Sequence, residues 1–461
     1  MKNPPSHADG AHGAGNPLLT GPVLPTLLRL AVPNVLAMTM AVMVGIAETY
    51  YIGVLGTEPL AAMAVVFPFA MLMQMMSSGA MGGGVSSAVS RALGASNPAR
   101  ARETALHAVV IGVLAGLAFS LVFLVFGPAL YRLLGASGGV LERAVGYANV
   151  LFCGAVLVWL SNTLASVLRG TGNMKVPSVT ILATAALQIV IGGGLGLGLG
   201  PFPQLGMVGV ALGQIVATAA GVAYLLWYLL TGRSKLHLSF AGLTLRRHIF
   251  TDILKVGALA CLSPVQSVLA TVIFTGLVAR LGLLPLAGYS IGQRLEFLLV
   301  PIAFGIGVAS VPMVGMAIGA GDIRRARRVA WTAGGVSAFN LGILGLIVSI
   351  APDLWAGLFT RDAAVLDYAR QYLRWAGPAF GFFGLGLTLY FASQGSGRVL
   401  GPVLASTLRL VLVGVVGAWL VSNAAPAWHY FALVGAVMVV YGLSTAAAIW
   451  FTPWGPGAPR R

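Results

Sequence analysis

Four ionisable residues, Glu48, Arg294, Glu296 and Arg409, stand inside long apolar stretches of the chain. A charge at the centre of a bilayer costs about 2.5–3.5 kcal/mol on insertion scales, so such a side chain is expected to face a cavity or a partner. A carboxyl removed from water also holds its proton more tightly. One that loads a proton on one side of a membrane and releases it on the other couples transport to a proton gradient. Glu48 is the first candidate for that proton and Glu296 the second. The plainer alternatives are that Glu48 meets water at the outer end of its helix, and that Glu296 pairs with a residue such as Arg409. Arg294 and Glu296, two residues apart, point to different faces of a helix and do not pair with each other. Asn34, Gln188, Gln214 and Gln266 are polar side chains in apolar surroundings. With Arg294 and Arg409 they are candidates to relay a proton or touch a substrate. Ordinary interhelical hydrogen bonds, worth on the order of 0.6–2 kcal/mol, are their commoner use.

What must position these groups is a membrane bundle. Of 461 residues, 58% are hydrophobic and 8% charged, and the mean hydropathy is +0.92. A soluble surface needs about 25% charged residues, so most of this surface must face lipid. The 62 glycines suit a bundle in which small residues let helix backbones approach. A spanning helix needs about 20 apolar residues. Such stretches fall near 25–51, 59–88, 104–126, 144–168, 176–199 and 207–230. A second set follows near 257–280, 285–317, 327–350, 371–393, 400–422 and 429–452. The fold class expected is all-α and integral to the membrane, with about twelve helices. The expected divisions are a disordered cytoplasmic tail over 1–24, an N-lobe over 25–232, a basic linker over 233–255, a C-lobe over 256–452 and a cytoplasmic tail over 453–461.

The net charge of +16 is spread in short clusters between the apolar stretches, which sets orientation and does not make a nucleic-acid surface. Loops on one side would hold Arg91, Arg100, Arg102, Arg169, Lys175, the linker, Arg324–Arg328 and Arg398. Loops on the other would hold Arg132, Arg143, Arg280, Arg361, Arg370 and Arg374, beside Asp353, Asp362 and Asp367. The positive-inside rule, at roughly three to one, then places both termini in the cytoplasm of a cell with this chain in its inner membrane. The Arg324–Arg328 cluster reads as topology and lipid-headgroup contact.

The chain repeats itself. Leu55-Gly-Thr-Glu-Pro-Leu-Ala-Ala62 is similar to Leu281-Gly-Leu-Leu-Pro-Leu-Ala-Gly288. Leu93-Gly-Ala-Ser-Asn-Pro-Ala-Arg-Ala-Arg102 is similar to Ile318-Gly-Ala-Gly-Asp-Ile-Arg-Arg-Ala-Arg327. Arg169-Gly-Thr-Gly172 is similar to Gln394-Gly-Ser-Gly397. All three pairs keep their order and are separated by about 225 residues (97 to 322, for example). Six spans per repeat is an even number, so both halves enter the membrane the same way round. They are related by a pseudo-two-fold axis along the membrane normal, with a site between them. Glu48 and Glu296 are not repeat equivalents, since their counterparts are Phe274 and Ala70.

The ordered set of motifs resembles the multidrug and toxic compound extrusion (MATE) transporters of prokaryotes. It runs from Pro33 and Ala47-Glu-Thr-Tyr-Tyr-Ile-Gly-Val-Leu-Gly56 through Leu168-Arg-Gly-Thr-Gly-Asn-Met-Lys-Val-Pro177. It continues through Gly292-Gln-Arg-Leu-Glu296 to Gln394-Gly-Ser-Gly-Arg398. The resemblance implies two six-helix lobes around a V-shaped cavity, alternating access, and export in exchange for protons or sodium ions. Two departures from the family pattern matter, one in the first helix and one in the fifth. Glu48 stands where an Asp is usual, and Gln188 with Gly192 stand where Asn and Asp are usual in the fifth helix, which weakens a two-carboxylate sodium site.

Enzyme signals are missing. The six histidines are scattered without metal-ligand spacing, Cys153 and Cys261 read as packing residues, and Gly79–Gly84 lacks the Lys-Ser/Thr of a phosphate loop. Those glycines read as close helix packing. The methionines at 38, 40, 43, 71, 73, 75 and 76 give the first two helices a soft surface. The expectation is a monomeric secondary transporter exporting organic, often cationic or amphipathic, compounds. Protons (or sodium ions) would be the coupling ion, with no cofactor, no resident metal and no nucleic-acid partner. A lipid-linked precursor flippase of the same superfamily is the alternative.

Overall fold

The computed structural model describes residues 16–234, 236–238 and 245–455. Among them every regular element is a helix. Eleven helical runs are long and apolar enough to cross a membrane, and a bent pair supplies a twelfth span. In the first half these are α1 (Val23–Val54), α2 (Thr57–Gly94), α3 (Pro98–Leu133), α4 (Gly138–Cys153 with Ala155–Gly170), α5 (Lys175–Leu197) and α6 (Gly206–Leu230). In the second they are α7 (Arg247–Ala279), α8 (Leu283–Gly319), α9 (Ile323–Ile350), α10 (Ala363–Ser396), α11 (Leu400–Ser422) and α12 (Ala427–Phe451). Each lies on one of the apolar stretches read from the sequence. Lipid offers no hydrogen bonds, so the backbone of each stretch must satisfy itself as helix. The shortest, at 23 residues, rises about 35 Å at 1.5 Å per residue, enough for a hydrocarbon core of about 30 Å. The two parts of α4 meet at 42° at Gly154, where a Cβ would lie 2.7 Å from Ile215 of α6. A residue larger than glycine there would require the Ile215 side chain to move.

The repeat is visible in backbone detail. Gly56 (φ 125°) and Gly282 (φ 114°) open α2 and α8 in the left-handed region that favours glycine. Asn97 Oδ1 accepts from the Arg100 N–H at 2.9 Å to cap α3. Asp322 Oδ1 accepts from the Arg325 N–H at the same 2.9 Å to cap α9. One hydrophobic core gathers residues mainly of the first half, around Phe152, Trp159 and Leu225. A second gathers residues of the second half, around Tyr372, Phe380 and Phe431.

A third core, with Leu27 and Ala31 of α1 against Met313 and Ala317 of α8, joins the halves. Around it α2 and α8 nearly touch. A Cβ on Gly94 would lie 2.2 Å from Met316 O, and one on its repeat partner Gly319 would lie 2.1 Å from Arg91 O. Ser87 Oγ donates to Gln394 O at 2.5 Å across the same boundary. The two halves are therefore shut at the end that carries the basic loops. Gly79–Gly84 belongs to this contact, with Gly84 against Gly257 of α7, which is the packing role read from the sequence.

Several boundaries differ from those expected. Of the tail placed at 1–24, residues 1–15 lie outside the described residues. Residues 16–24 are ordered: Pro17–Thr20 is a short helix capped by Asn16, Leu18 is buried, and α1 starts at Val23. The linker placed at 233–255 gives way to helix at Arg247, where α7 begins. Arg246 N–H donates to His107 Nε2 at 2.8 Å, and Arg100 pairs with Asp252, so this stretch is tied to α3. Of the final tail, 456–461 lie outside the described residues, and Trp454 is buried. Arg325 donates to Leu18 O and Gly21 O, and Arg327 to Trp450 O and Thr452 O. Two members of the cluster read as a lipid contact therefore bind the segment that leads into α1 and the end of α12. Arg169 is no loop residue. It occupies the last turn of α4 and is 1% exposed, because the helix runs to Gly170 and the second half closes over it.

Candidate functional site

Glu48 lies in α1 two turns from its end, yet it is buried rather than open to water. The reason is α5, which packs along α1 and presents Gln188. Its Nε2 donates to Glu48 Oε1 at 2.6 Å. The pair read separately from the sequence is thus one hydrogen-bonded unit. Tyr147 of α4 is buried within Coulombic reach of the same carboxyl. An amide cannot accept a proton near neutral pH, so the titratable member of the pair is Glu48.

Glu296 occupies the middle of α8 and is half-buried. Tyr372 OH of α10 donates to Glu296 Oε1. Gly292 makes the approach possible, because a Cβ there would lie 2.0 Å from the Tyr372 ring. Tyr289 and Phe431 pack edge-on against Tyr372, each with ring centres 5.5 Å away. Phe274, the repeat counterpart of Glu48, packs on Tyr289 at 5.2 Å. Where the first half has a carboxyl, the second has an aromatic cluster around a different carboxyl. The suggested Glu296–Arg409 ion pair is not formed: the Arg409 guanidinium lies 5.8 Å from the ring centres of Phe383 and Tyr441. Arg294 is exposed, with its guanidinium 5.3 Å over the Phe359 ring. It does not join the buried site.

The remaining candidates divide. Asn34 is buried and its Nδ2 donates to Gly305 O at 3.4 Å, a link between α1 and α8. Gln266 Nε2 donates to Thr407 Oγ1 at 2.8 Å. This joins α7 to α11 as Glu48–Gln188 joins α1 to α5, so each half ties its first span to its fifth through a polar contact. Gln214 is half-buried on α6, and nothing in the structure brings it to Glu48. Of the methionines, Met73 is buried and Met43 exposed, the other five being half-buried.

The MatE family profile matches residues 33–192 and 260–420, one block in each half. The chain belongs to the MatE family. Among its relatives, the FAD transporter of Shewanella oneidensis is 24% identical over 396 residues, covering 86% of this chain and 87% of that one. The multidrug export protein MepA of Staphylococcus aureus is 23% identical over 394 residues, covering 85% and 86%. Solved structures share the fold. An outward-facing MATE transporter of the MOP superfamily aligns with a TM-score of 0.84 at 21% identity, covering 95% of this chain and 97% of that one. The Vibrio cholerae MATE transporter VcmN in its bent form aligns at 0.84 and 21%, covering 92% and 96%. Twelve spans in a MatE transporter thus replace the composition argument with membership.

Sequence reasoning missed a second polar group in this MatE protein. Residues Met75–Met81 of α2 form a π-helical segment, a local widening often found at functional sites. It turns Ser77 toward Asn162 of α4, whose Nδ2 donates to Ser77 Oγ at 2.8 Å and to Gln74 Oε1 at 3.4 Å. Paired serines before a glycine run were the signal that could have found it. Among the described residues no three His, Cys, Asp or Glu side chains are grouped to hold a metal ion.

Proposed function

We propose that this MatE transporter exports organic compounds by alternating access, and that protons entering the cell drive it through Glu48. The observation that carries this reading is the buried Glu48 carboxyl held by the neutral amide of Gln188. None of the ion pairs among the described residues involves Glu48. A carboxyl with a neutral partner gains and loses a proton without leaving a stranded countercharge, which suits a carrier. Gly192, at the family's second acidic position, packs instead against Gly213 of α6, where a Cβ on Gly213 would lie 2.4 Å from it. That favours a proton over a sodium ion, with sodium kept as the other coupling ion to test.

Relatives named for multidrug export and for FAD support a small organic molecule as the substrate, and cationic or amphipathic compounds are the first to try. The orientation follows the basic loops, with both termini in the cytoplasm and the chain acting as a monomer in the inner membrane. Nothing in the likenesses supports the flippase alternative, and Arg294 and Arg409 are dispersed on aromatic rings instead of converging on a phosphate. Each proton crossing 100 mV contributes about 2.3 kcal/mol, enough to sustain roughly a 50-fold gradient of a neutral substrate.

The test is uptake of a fluorescent organic cation into proteoliposomes under pH and sodium gradients imposed separately. Uptake driven by the pH gradient supports the reading. Uptake that needs sodium and ignores pH overturns the proton assignment.

A further inference from the structure

Arg169 closes α4 with 1% of its surface exposed, and its Nε, Nη1 and Nη2 have no hydrogen-bond partner among the described protein groups. It lines a small cavity of about 10 Å³ with Ser78, Ser86 and Ser166, lidded from the other half by Val308 and Val311. Such a volume holds one water-sized group. None of the ion pairs among the described residues includes Arg169. Arginine does not escape by losing its proton, and an uncompensated buried charge is strongly unfavourable. Ser78 and Ser166 spend their hydroxyl protons on Gln74 O and Asn162 O, both at 2.7 Å. Ser86 Oγ has no partner and is free to donate into the cavity. A water molecule would occupy the arginine N–H groups and leave the charge as it is. A monatomic anion does both.

We propose that this cavity binds a single chloride-sized inorganic anion, accepting from Arg169 and from the Ser86 hydroxyl. Its lid belongs to the other half of the molecule. Parting the halves at this end therefore opens the site, so the anion binds the shut state better and favours it. The repeat supplies a control, since the counterpart of Arg169 is Gln394, a neutral amide buried at the same boundary against Gly83. The inference does not depend on which ion drives transport.

The experiment uses the purified full chain in detergent, with radiolabelled chloride and with melting midpoints in chloride against gluconate, which is too large for the cavity. Wild type is expected to show one saturable chloride site and a higher midpoint in chloride. Arg169→Gln, which copies the residue at 394, is expected to lose on the order of tenfold or more in chloride affinity and its chloride-dependent shift. Should that variant not fold, Arg169→Lys keeps the charge and is expected to keep the shift with chloride and bromide. Equal chloride binding by wild type and Arg169→Gln overturns the proposal. So does a wild-type or lysine-variant midpoint that is the same in chloride and gluconate.

Discussion

Gln188 of the fifth span donates to Glu48 of the first at 2.6 Å, and this bond survives a change in the charge of its acceptor. A carboxylate and a carboxylic acid both offer an oxygen to an amide N–H. The contact would therefore hold the side chain in place through the proposed proton cycle, where an ion pair would break on protonation.

Glu48→Gln is expected to remove the pH-driven part of transport. The neutral amide keeps an oxygen for Gln188, so the melting midpoint should stay close to wild type. Accumulation driven by a 100 mV potential should fall by roughly the 50-fold that one proton supplies, while downhill equilibration of substrate continues. Because the variant cannot titrate at this position, its residual transport should not vary with pH. Proteoliposome uptake across a pH series measures both effects.

Tyr372→Phe tests the other carboxyl. It removes the hydroxyl that donates to Glu296 and keeps the ring that packs between Tyr289 and Phe431. Losing a hydrogen bond to a partly buried acid costs about 1–3 kcal/mol, visible as a lower melting midpoint. Proton-driven transport is expected to persist, as it is for Glu296→Gln. If Glu296→Gln abolishes it and Glu48→Gln does not, the coupling role moves to the second half.

The sequence made the spans and the repeat legible, because lipid imposes length and hydropathy on every helix and the offset motifs recur at matched turns. Glu48 and Gln188 each stood out for a related reason, since polar residues inside apolar runs are few, but their hydrogen bond did not, because it depends on α5 packing along α1. Arg169 was not. A cation just before a loop motif reads as a loop cation, and its burial depends on α2 and α8 closing over it, which no local pattern states. Tyr372 was missed because its contact with Glu296 depends on Gly292 leaving room between two helices some 80 positions apart (292 to 372). Arg294 shows the reverse error. An ionisable residue in an apolar run looked buried, yet the helix turns it outward beneath Phe359.

Two arginines of the basic run after Asp322 are expected to matter more than their neighbours. Arg325→Ala loses bonds to Leu18 O and Gly21 O, and Arg327→Ala loses bonds to Trp450 O and Thr452 O. Each bond from a charged donor is worth about 1.5–3 kcal/mol at most and less where water competes. Midpoints should drop for both variants. The exposed Arg324 and Arg328 should change them little, and equal effects at all four positions would mean the cluster acts through its charge alone.

Gly319→Leu is expected to hold the shut end open. A side chain there collides with the backbone oxygen of Arg91, a group that cannot rotate away, so the halves must part. Cys261 reports the change, because it is 7% exposed and lies against Met76 O across the same boundary. In a Cys153→Ser background, which removes the exposed thiol, maleimide labelling of Cys261 should be slow in the parent and several-fold faster in the glycine variant. Transport should fall, since one of the two end states is then disfavoured by the differential contact. Unchanged labelling with normal transport would mean that α2 and α8 slide apart without needing Gly319, and that the close crossing is packing rather than a gate.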